Sequence, residues 1–398
     1  MHPLLHFLTQ TRLWLIPLAI LWLALMALQN EQGYSRFQTV DAMYYRELSF
    51  DILQGRPAVI DDLTNGQGNQ FSPFPPGYPV MLAFTNLLSG SDTWLNFIFL
   101  HGILLILLIL VWQNSASLLP LGFVLFSDTA LSLASMGISE FAFIISCIFV
   151  VFSLSKLEQR GQLVWQISLC ISLCFCLWIR YAGLFFLPFL LFHLWFFSDS
   201  GRQKFRLVIW PILFFCLFSL FLLGSQWMDS GQLTGGDRYP NSDSGLVLLK
   251  DLAIEILNQL CFFQNLSGSS LLSFSAGFLG AMLIIWLIVK MPLKNENALF
   301  LGPDELHGPF IRKLALNLFL AGLFYTLIMI AGRWHFYFAE TYDTRLLGPG
   351  GCLIWLGWAV SAEANLLRQP LSLRLLFLAL ATLFFLPVES LSQFLFRN

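Results

Sequence analysis

Long apolar segments separated by shorter polar ones dominate this chain, and many of them match the thickness of a membrane. A helix needs about 20 mostly apolar residues to cross the hydrocarbon core of a bilayer. By that criterion the pattern predicts an all-α membrane protein, a polytopic bundle of about 11 transmembrane helices. The predicted spans are 13–29, 92–112, 115–134, 138–155, 163–179, 182–198, 207–226, 268–289, 314–332, 346–362 and 372–388.

Three polar segments interrupt this pattern, at residues 30–77, 227–267 and 333–345. A simple connector between two spans needs only a few residues. The first loop therefore predicts a structured surface at the membrane face, with interfacial helices of its own. The apolar stretch 78–89 is short for a span and predicts either an interfacial helix or the tilted start of the second span.

Composition agrees with an integral membrane protein. Hydrophobic residues make up 57% of the chain and charged residues 11%, against roughly 25% charged in soluble domains. The apolar runs are too long for barrel strands, so helices must satisfy the backbone amides in lipid. The first span is followed by Gln29 and Asn30 without a small-residue cleavage pattern, which predicts a retained helix rather than a signal peptide. We find no soluble domain and no internal repeat, and expect residues 1–398 to form a single transmembrane domain.

The distribution of lysine and arginine predicts the orientation of the chain. Placing the N-terminus in the cytoplasm puts about 12 of the 21 basic residues on the inner side. The three long polar segments then face the exterior. We therefore expect a multi-pass protein of the plasma (inner) membrane, with the lipid bilayer as a partner and no nucleic acid.

The first exterior loop holds the leading candidate for chemistry, Asp41. A carboxylate beside the membrane can deprotonate a hydroxyl nucleophile or hold a divalent metal. The competing interpretation is a helix N-cap, a position where aspartate is favoured. Tyr44 and Tyr45 follow on the next turn and suit either a substrate or an interfacial aromatic belt. Tyr78 lies in a rigid aromatic and proline-rich turn, Phe71 to Pro79, which has a structural interpretation of equal weight.

Ionisable residues near membrane depth form the second group of candidates, because burying them is costly. Glu140 opens the fourth predicted span and Arg180 lies between the fifth and the sixth, both at the outer face. For Arg180 the alternative is snorkelling of its guanidinium toward lipid head groups.

The late loop and the second long loop add further polar candidates. Arg345 sits at a membrane edge, where a guanidinium can hold a phosphate or contact an anionic lipid head group. His335 belongs to the same charged segment. Arg238 lies in a glycine-rich part of the second loop and suits either a polar ligand or flexible filler.

Taken in order, these elements resemble the GT-C class of membrane glycosyltransferases, which includes protein O-mannosyltransferases and the enzymes that decorate lipid A. The elements are an acid followed by tyrosines, a Pro-Pro-Gly-Tyr-Pro turn, a Ser-Glu pair and an Arg-Tyr junction, with a late Arg-x-x-x-Pro helix start. In this chain they fall at Asp41 to Tyr45, Pro75 to Pro79, Ser139-Glu140, Arg180-Tyr181 and Arg345 to Pro349.

The resemblance implies a function at the exterior face. It predicts inverting transfer of a sugar from a polyprenyl-phosphate donor to an acceptor hydroxyl on a glycan, lipid or protein. Asp41 would be the general base, and Arg345, Arg180 and Arg238 would bind the donor phosphate. Tyr44, Tyr45, Tyr78, Glu140 and His335 would bind substrate. A divalent metal, Mg or Mn, is a possible cofactor. The first loop has a single acid where some branches have an Asp-Glu pair, and Leu346 replaces the family's tyrosine.

Two other functional classes stay open at this point. A transporter or flippase would need paired broken helices and polar residues lining the bundle at mid-membrane. An O-antigen polymerase or ligase would also be polytopic, with arginines for lipid phosphates, and usually has its principal loop late in the chain. Here most charges sit at helix ends, and the most distinctive loop is the first.

Overall fold

The computed structural model describes residues 20–22, 24, 39–56, 60–61, 68–69, 74–89, 95–113, 115–116, 118–196, 202–230, 233, 241, 243–261, 307–336 and 344–366. These residues are mostly helical, as the apolar pattern predicts. The helices are α1 (Val40–Leu53), α2 (Gly77–Ser89), α3 (Leu95–Trp112), α4 (Leu118–Leu125), α5 (Asp128–Ser135), α6 (Glu140–Arg160), α7 (Leu163–Ile179), α8 (Phe186–Phe196), α9 (Arg202–Ser230), α10 (Gly245–Cys261), α11 (His307–His335) and α12 (Thr344–Leu366). A 3-10 turn, Tyr181–Phe185, leads into α8, and two-residue strands β1 (Ile60–Asp61) and β2 (Gly68–Asn69) pair antiparallel.

Four helical segments are long and apolar enough to cross a membrane: Leu95–Trp112, Glu140–Arg160, Leu207–Met228 and Phe310–His335. They correspond to four of the predicted spans. The apolar helices α7 and α8 also match predicted spans but are shorter. The predicted span 115–134 is instead two eight-residue helices, α4 and α5, separated at Phe126 and Ser127.

The other predicted spans are either in a helix that does not meet the length and hydropathy of a span or outside the described residues. The segment 346–362 lies within helix α12, which is not among the four described segments that are long and apolar enough. The predicted spans 268–289 and 372–388, and most of 13–29, lie outside the described residues. The structure therefore confirms an all-helical membrane architecture at a coarser level than the predicted number of spans.

The chain divides into two compact units. The first comprises residues 1–117 and 133–239, and the second comprises residues 118–132 and 240–398. Each unit is described separately below.

Helices α6 and α7 form an antiparallel hairpin in the first unit. Hydrogen bonds between side chains connect Ser153 to Ser168 and Cys147 to Cys176, so residues pair in opposite directions along the two helices. The link between the helices is short. Gly161 has φ of 61°, a left-handed conformation that glycine adopts at little cost, and its N–H donates to the Leu157 carbonyl. Helix α6 is buried along most of its length, which makes it the core of this unit.

The first long polar segment contributes α1, and α2 follows it. Thr39 caps α1 because its hydroxyl accepts a hydrogen bond from the N–H of Ala42, 3.1 Å away. Helix α1 packs on α2, and α2 packs on both α3 and α7. The contact with α7 is close, since a Cβ at Gly77 would overlap the backbone carbonyl of Trp178. The stretch 78–89 thus lies in a short helix of its own rather than in the helix of the second predicted span, and its interfacial position stays a prediction.

Helices α11 and α12 pack closely in the second unit because glycines lie at their contact. A Cβ at Gly322 would lie 2.6 Å from the Gly350 carbonyl oxygen, and one at Gly357 would lie 2.6 Å from the Ala315 carbonyl oxygen. The buried hydroxyl of Tyr325 donates to the Leu346 carbonyl, 3.0 Å away. Small residues that let backbones approach are typical of helix pairs in membranes.

Candidate functional site

Asp41 lies in the first turn of α1 and is half-buried. Thr39, not Asp41, is the N-cap, so the capping interpretation of Asp41 is wrong. The Thr39 hydroxyl also donates to the Met136 carbonyl, 3.3 Å away, and this bond ties the start of α1 to the segment preceding α6. A carboxylate at this position benefits from the helix dipole, which favours negative charge in the first turn.

One turn further along α1, Tyr45 enters a buried polar network. Its hydroxyl lies 3.0 Å from Oγ of Ser139. The same Oγ accepts a hydrogen bond from Nη1 of Arg180 at 3.2 Å. Nη1 of Arg180 is also 2.5 Å from Oε1 of Glu140. The network therefore connects α1, the start of α6 and the end of α7 through four side chains.

The burial of this network is uneven. The side chain of Glu140 is 1% exposed and that of Arg180 is 23% exposed. An ion pair taken out of water is costly to desolvate, and breaking it leaves an uncompensated charge. The guanidinium also lies over the ring of Phe143, 6.0 Å from its centroid. Arg180 is thus engaged by a carboxylate, a hydroxyl and an aromatic face.

The hairpin places the ion pair at one end of the bundle. Glu140 begins α6 and Arg180 follows α7, so both lie at the open end of the hairpin. Lys156 and Arg160 lie toward the other end of α6, about 24–30 Å away at 1.5 Å of rise per residue. This length is close to the thickness of the hydrocarbon core. The two ends of α6 therefore suit opposite faces of a membrane.

Tyr45 also belongs to an aromatic cluster, in which its ring contacts that of Tyr78. Their ring centroids are 4.8 Å apart in an edge-to-face arrangement. The Tyr78 hydroxyl lies 3.1 Å from Nε2 of His101. Burial raises the pKa of both phenols well above the usual value, with the neighbouring Arg180 partly opposing this at Tyr45. Both tyrosines stay protonated at physiological pH. The Tyr45 hydroxyl connects α1 to Ser139, and the Tyr78 hydroxyl connects α2 to His101 of α3.

Tyr44 differs from its neighbour because it stays half-buried. Its ring centroid lies 6.4 Å from that of Phe74, which is also half-buried. Phe74 in turn contacts the Tyr45 ring at 4.6 Å. Tyr44 and Phe74 are therefore the aromatic side chains of this cluster that retain a surface for a ligand.

Three further predicted site residues are Arg345, His335 and Arg238. Arg345 and His335 lie in the second unit. Arg345 is half-buried in the first turn of α12 and His335 ends α11 with its side chain exposed. Arg238 lies outside the described residues. The phosphate roles of Arg345 and Arg238 and the substrate role of His335 stay predictions.

The second unit has its own buried ion pair. Nη2 of Arg333 lies 2.6 Å from Oδ2 of Asp243, and the guanidinium side chain is 3% exposed. The amide of Asn241 donates to the Arg333 carbonyl at 3.0 Å. Arg333, Asp243 and Asn241 are not among the site residues predicted from the sequence, and Ser139 enters only through the family resemblance. Ser139 directly precedes a glutamate at a helix start, which is the one sequence signal that marks it.

The sequence left a divalent metal open as a cofactor, and we compared that possibility with the side chains of the described residues. Within the described residues, no group of three or more histidine, cysteine, aspartate or glutamate side chains is arranged to hold a metal ion. Asp41 is half-buried in the first turn of α1, and Glu140 is engaged with Arg180. The residues of the network do not fit a metal centre, and no step below is assigned to one.

Comparison with protein-family models, with curated proteins and with solved structures gave no match. The class of protein that the fold defines is a helical membrane protein. Any narrower function rests on the geometry around Asp41 and on the residue pattern of the sequence.

Proposed function

We propose that this chain is a membrane glycosyltransferase that uses a polyprenyl-phosphate-linked sugar, with Asp41 as its general base at the exterior face of the membrane. The observation that carries the proposal is the fixed placement of Asp41. It lies half-buried in the first turn of a helix whose next turn is anchored, through Tyr45 and Ser139, to the Glu140–Arg180 ion pair. A simple connector between spans would not need such anchoring.

Charge supports the exterior placement of this site. Lys156 and Arg160 lie toward the end of α6 opposite Glu140 and Arg180. The positive-inside rule assigns the end with Lys156 and Arg160 to the cytoplasm. The other end, which holds the network and Asp41, then faces the exterior. Lys156 and Arg160 are among the basic residues from which the sequence predicts the same orientation.

The chemistry requires a base and a leaving group on opposite sides of the sugar. The acceptor hydroxyl attacks the anomeric carbon, and its proton passes to the Asp41 carboxylate. The bond between that carbon and the phosphate oxygen breaks, and polyprenyl phosphate leaves with the electron pair. Configuration inverts because the attack and the departure occur on opposite faces through an oxocarbenium-like state. A positioned general base contributes about 10²–10⁴ in rate.

The geometry favours a positioning role for Arg180, Glu140 and Tyr45. Glu140 neutralises the guanidinium, and the tyrosine hydroxyl is buried against Ser139. Tyr44 and Phe74 offer half-buried aromatic faces on the surface of the same cluster. We assign sugar or acceptor contact to these two rings. Direct contact of Arg180 with the donor phosphate stays a prediction from the sequence.

The test is a transfer assay with the purified chain in proteoliposomes. Labelled polyprenyl-phosphate hexoses and pentoses serve as donors, and membranes or extracts of the source organism serve as acceptor. The variants are Asp41→Asn and Asp51→Asn. Asp51 is a half-buried acid in the last turn of the same helix, about 15 Å from Asp41 by helix rise, so it is a matched control.

We expect transfer by the wild type and by Asp51→Asn, with a loss of about 10²–10⁴ in rate for Asp41→Asn. Full activity of Asp41→Asn would reject the base role while keeping the transferase. Absence of transfer with every donor by folded wild-type protein would reject the transferase. The result would then favour the polymerase or ligase class, or the transporter class, and movement of a lipid-linked glycan across the vesicle membrane would separate these two.

A further inference from the structure

Helix α10 lies in the second long polar segment, yet its sequence is apolar on two faces. Its inner face packs on the first turn of α12 and the last turns of α11. Leu248 is buried there with two leucines of α12. The cluster comprises Leu248, Leu346 and Leu347, with Leu252, Met329 and Ile330 packed against it. Since Met329 and Ile330 lie one to two turns before the end of α11, α10 lies at the level where that helix ends.

Polar contacts fix the start of α10 at the same level. The backbone N–H of Asn241 donates to the His335 carbonyl at 3.2 Å. The Asn241 side chain donates to the Arg333 carbonyl, and Asp243 pairs with the Arg333 guanidinium. Residues 310–335 form one of the four candidate spans, so its end marks a boundary between hydrocarbon and water. Helix α10 is thereby held at that boundary.

The outer face of α10 carries an exposed apolar stripe. Leu246, Leu249, Ala253 and Ile256 follow the spacing i, i+3, i+7 and i+10, which places them on one side of a helix. Leu246 is 81% exposed, Leu249 is 52% and Ile256 is 39%. Trp334, at the end of the candidate span, is also exposed and lies next to Gly245. Tryptophan at this level is typical of a membrane interface.

We propose that the stripe formed by Leu246, Leu249, Ala253 and Ile256 binds the surface of the lipid bilayer, so that α10 is an interfacial anchor helix. The bilayer is the occupant because the stripe adjoins the end of a candidate span whose own leucines are exposed, such as Leu327. Lys250 is exposed beside the stripe, and its ammonium can reach anionic head groups while its stem stays in the apolar layer. This inference is independent of the proposed transferase activity.

Nitroxide accessibility in vesicles of defined phospholipid composition tests this assignment. A ketone-bearing amino acid at position 246, 249 or 256 of the full chain accepts a nitroxide without changing the native cysteines. Position 327, exposed on the candidate span, is the lipid reference, and position 162, an exposed glutamine in the hairpin link, is the water reference. Collision with oxygen reports lipid, and collision with a water-soluble nickel chelate reports water.

We expect positions 246, 249 and 256 to resemble position 327, with oxygen collisions exceeding nickel collisions several-fold. Nickel collisions at the level of position 162 would overturn the proposal, because the stripe would then face water. Low collision with both reagents would also overturn it, because protein would then cover the stripe. Hydroxyl-radical footprinting of the unsubstituted chain in lipid nanodiscs is an independent check. We expect Leu246 and Leu249 to be oxidised less than exposed leucines outside the membrane, and equal oxidation would contradict the proposal.

Discussion

Nη1 of Arg180 lies 2.5 Å from Oε1 of Glu140. Glu140 begins the first helix of the α6–α7 hairpin and Arg180 follows the second helix. Their pairing closes the open end of the α6–α7 hairpin, while Gly161 closes the other end. The same guanidinium nitrogen donates to Ser139, which contacts Tyr45 of α1. One ion pair therefore fixes both the hairpin and the helix that carries Asp41.

Removing the cation of this pair should destabilise the protein strongly. Arg180→Met leaves the carboxylate of Glu140, 1% exposed, without its ion pair. Breaking a buried pair in this way costs about 3–5 kcal/mol. We expect a clear fall in the midpoint of thermal unfolding in detergent micelles.

The double variant Glu140→Gln/Arg180→Met is the matched comparison. Both charges are absent in it, so no uncompensated carboxylate remains. We expect it to be more stable than Arg180→Met alone, which a double-mutant cycle measures as a coupling between the two sites. Glu140→Gln alone completes the cycle, and a loss in the double variant equal to the sum of the two single losses would show that the pair is not coupled.

Tyr45 should make stability fall at alkaline pH. Burial raises its pKa in the folded protein well above the usual value, with Arg180 opposing this in part. The unfolded chain ionises this phenol first, so the stabilisation is complete below about pH 10 and is lost as pH rises beyond it. Denaturant unfolding between about pH 9 and pH 11 should show a shallower decline for Tyr45→Phe than for the wild type.

Tyr44→Phe is the control for the tyrosine prediction, since Tyr44 is the adjacent residue and stays half-buried. We expect it to lose less stability at neutral pH than Tyr45→Phe, because the Tyr44 side chain is only half-buried. Removing the Tyr45 hydroxyl also costs about 0.5–1.5 kcal/mol at neutral pH through the lost hydrogen bond. A parallel decline for Tyr45→Phe and wild type would contradict the assigned burial.

Close packing of α11 on α12 should be sensitive to a single methyl group. Gly322→Ala would place Cβ 2.6 Å from the Gly350 carbonyl oxygen and 2.8 Å from the Ile354 nitrogen. Both atoms belong to the backbone, so the helices must separate. We expect this to lower the free energy of unfolding by about 1–3 kcal/mol. Gly224→Ala in α9 is the control, because a Cβ there meets nothing within 4 Å.

Thermal unfolding of the two glycine variants measures this difference. Gly322→Ala should unfold at lower temperature than the wild type. Gly224→Ala should match the wild type or exceed it slightly, since alanine favours a helix over glycine by about 1 kcal/mol. Wild-type stability of Gly322→Ala would mean that the two helices pack less closely than the structure shows.

The Asp243–Arg333 pair should hold the start of α10 in place. Asp243→Asn removes the carboxylate at 2.6 Å from Nη2 of Arg333, a side chain that is 3% exposed. A hydrogen bond between charged groups contributes about 1.5–3 kcal/mol, reduced here because Asp243 is partly in water. We expect faster amide hydrogen exchange in the peptides covering Asp243 to Leu252.

Asp251→Asn provides the matched control for that exchange measurement, because it changes an acid on α10 itself. Its exchange rates should follow those of the wild type. Unchanged exchange in Asp243→Asn would show that the apolar cluster around Leu248 is enough to fix the helix.

The helical class and several boundaries were predictable because apolar length is read directly from the sequence. The segment 314–332 falls inside α11, and all but the first two residues of the segment 138–155 lie in α6. The division of the segment 115–134 into two helices was not predictable, because hydropathy does not report the break at Phe126 and Ser127. There the Ser127 hydroxyl donates to the Val124 carbonyl and accepts from the Ala130 N–H, so a side chain replaces the helical ladder.

In the candidate site, the residues could be predicted from local sequence, but their pairing across long sequence separations could not. Asp41, Tyr45, Glu140 and Arg180 were selected because acids and cations near a membrane are costly and aromatic residues follow them in the loop. The pairing of Arg180 with Glu140 depends on a hairpin that brings together residues 40 positions apart, which no local pattern shows. The Asp243–Arg333 pair, spanning 90 positions, was missed for that reason.

The bond between Tyr45 and Ser139 also affects how the protein is made. Ser139 follows Tyr45 by 94 residues, so α1 leaves the ribosome long before its partner exists. At about 5–20 residues per second, the delay is roughly 5–20 s. Throughout that time the loop bearing Asp41 has been synthesised without the hairpin that fixes it. The surface around Asp41 is therefore among the first parts of the chain to be translated, but its contacts form only after the hairpin that holds Glu140 and Arg180 has been made.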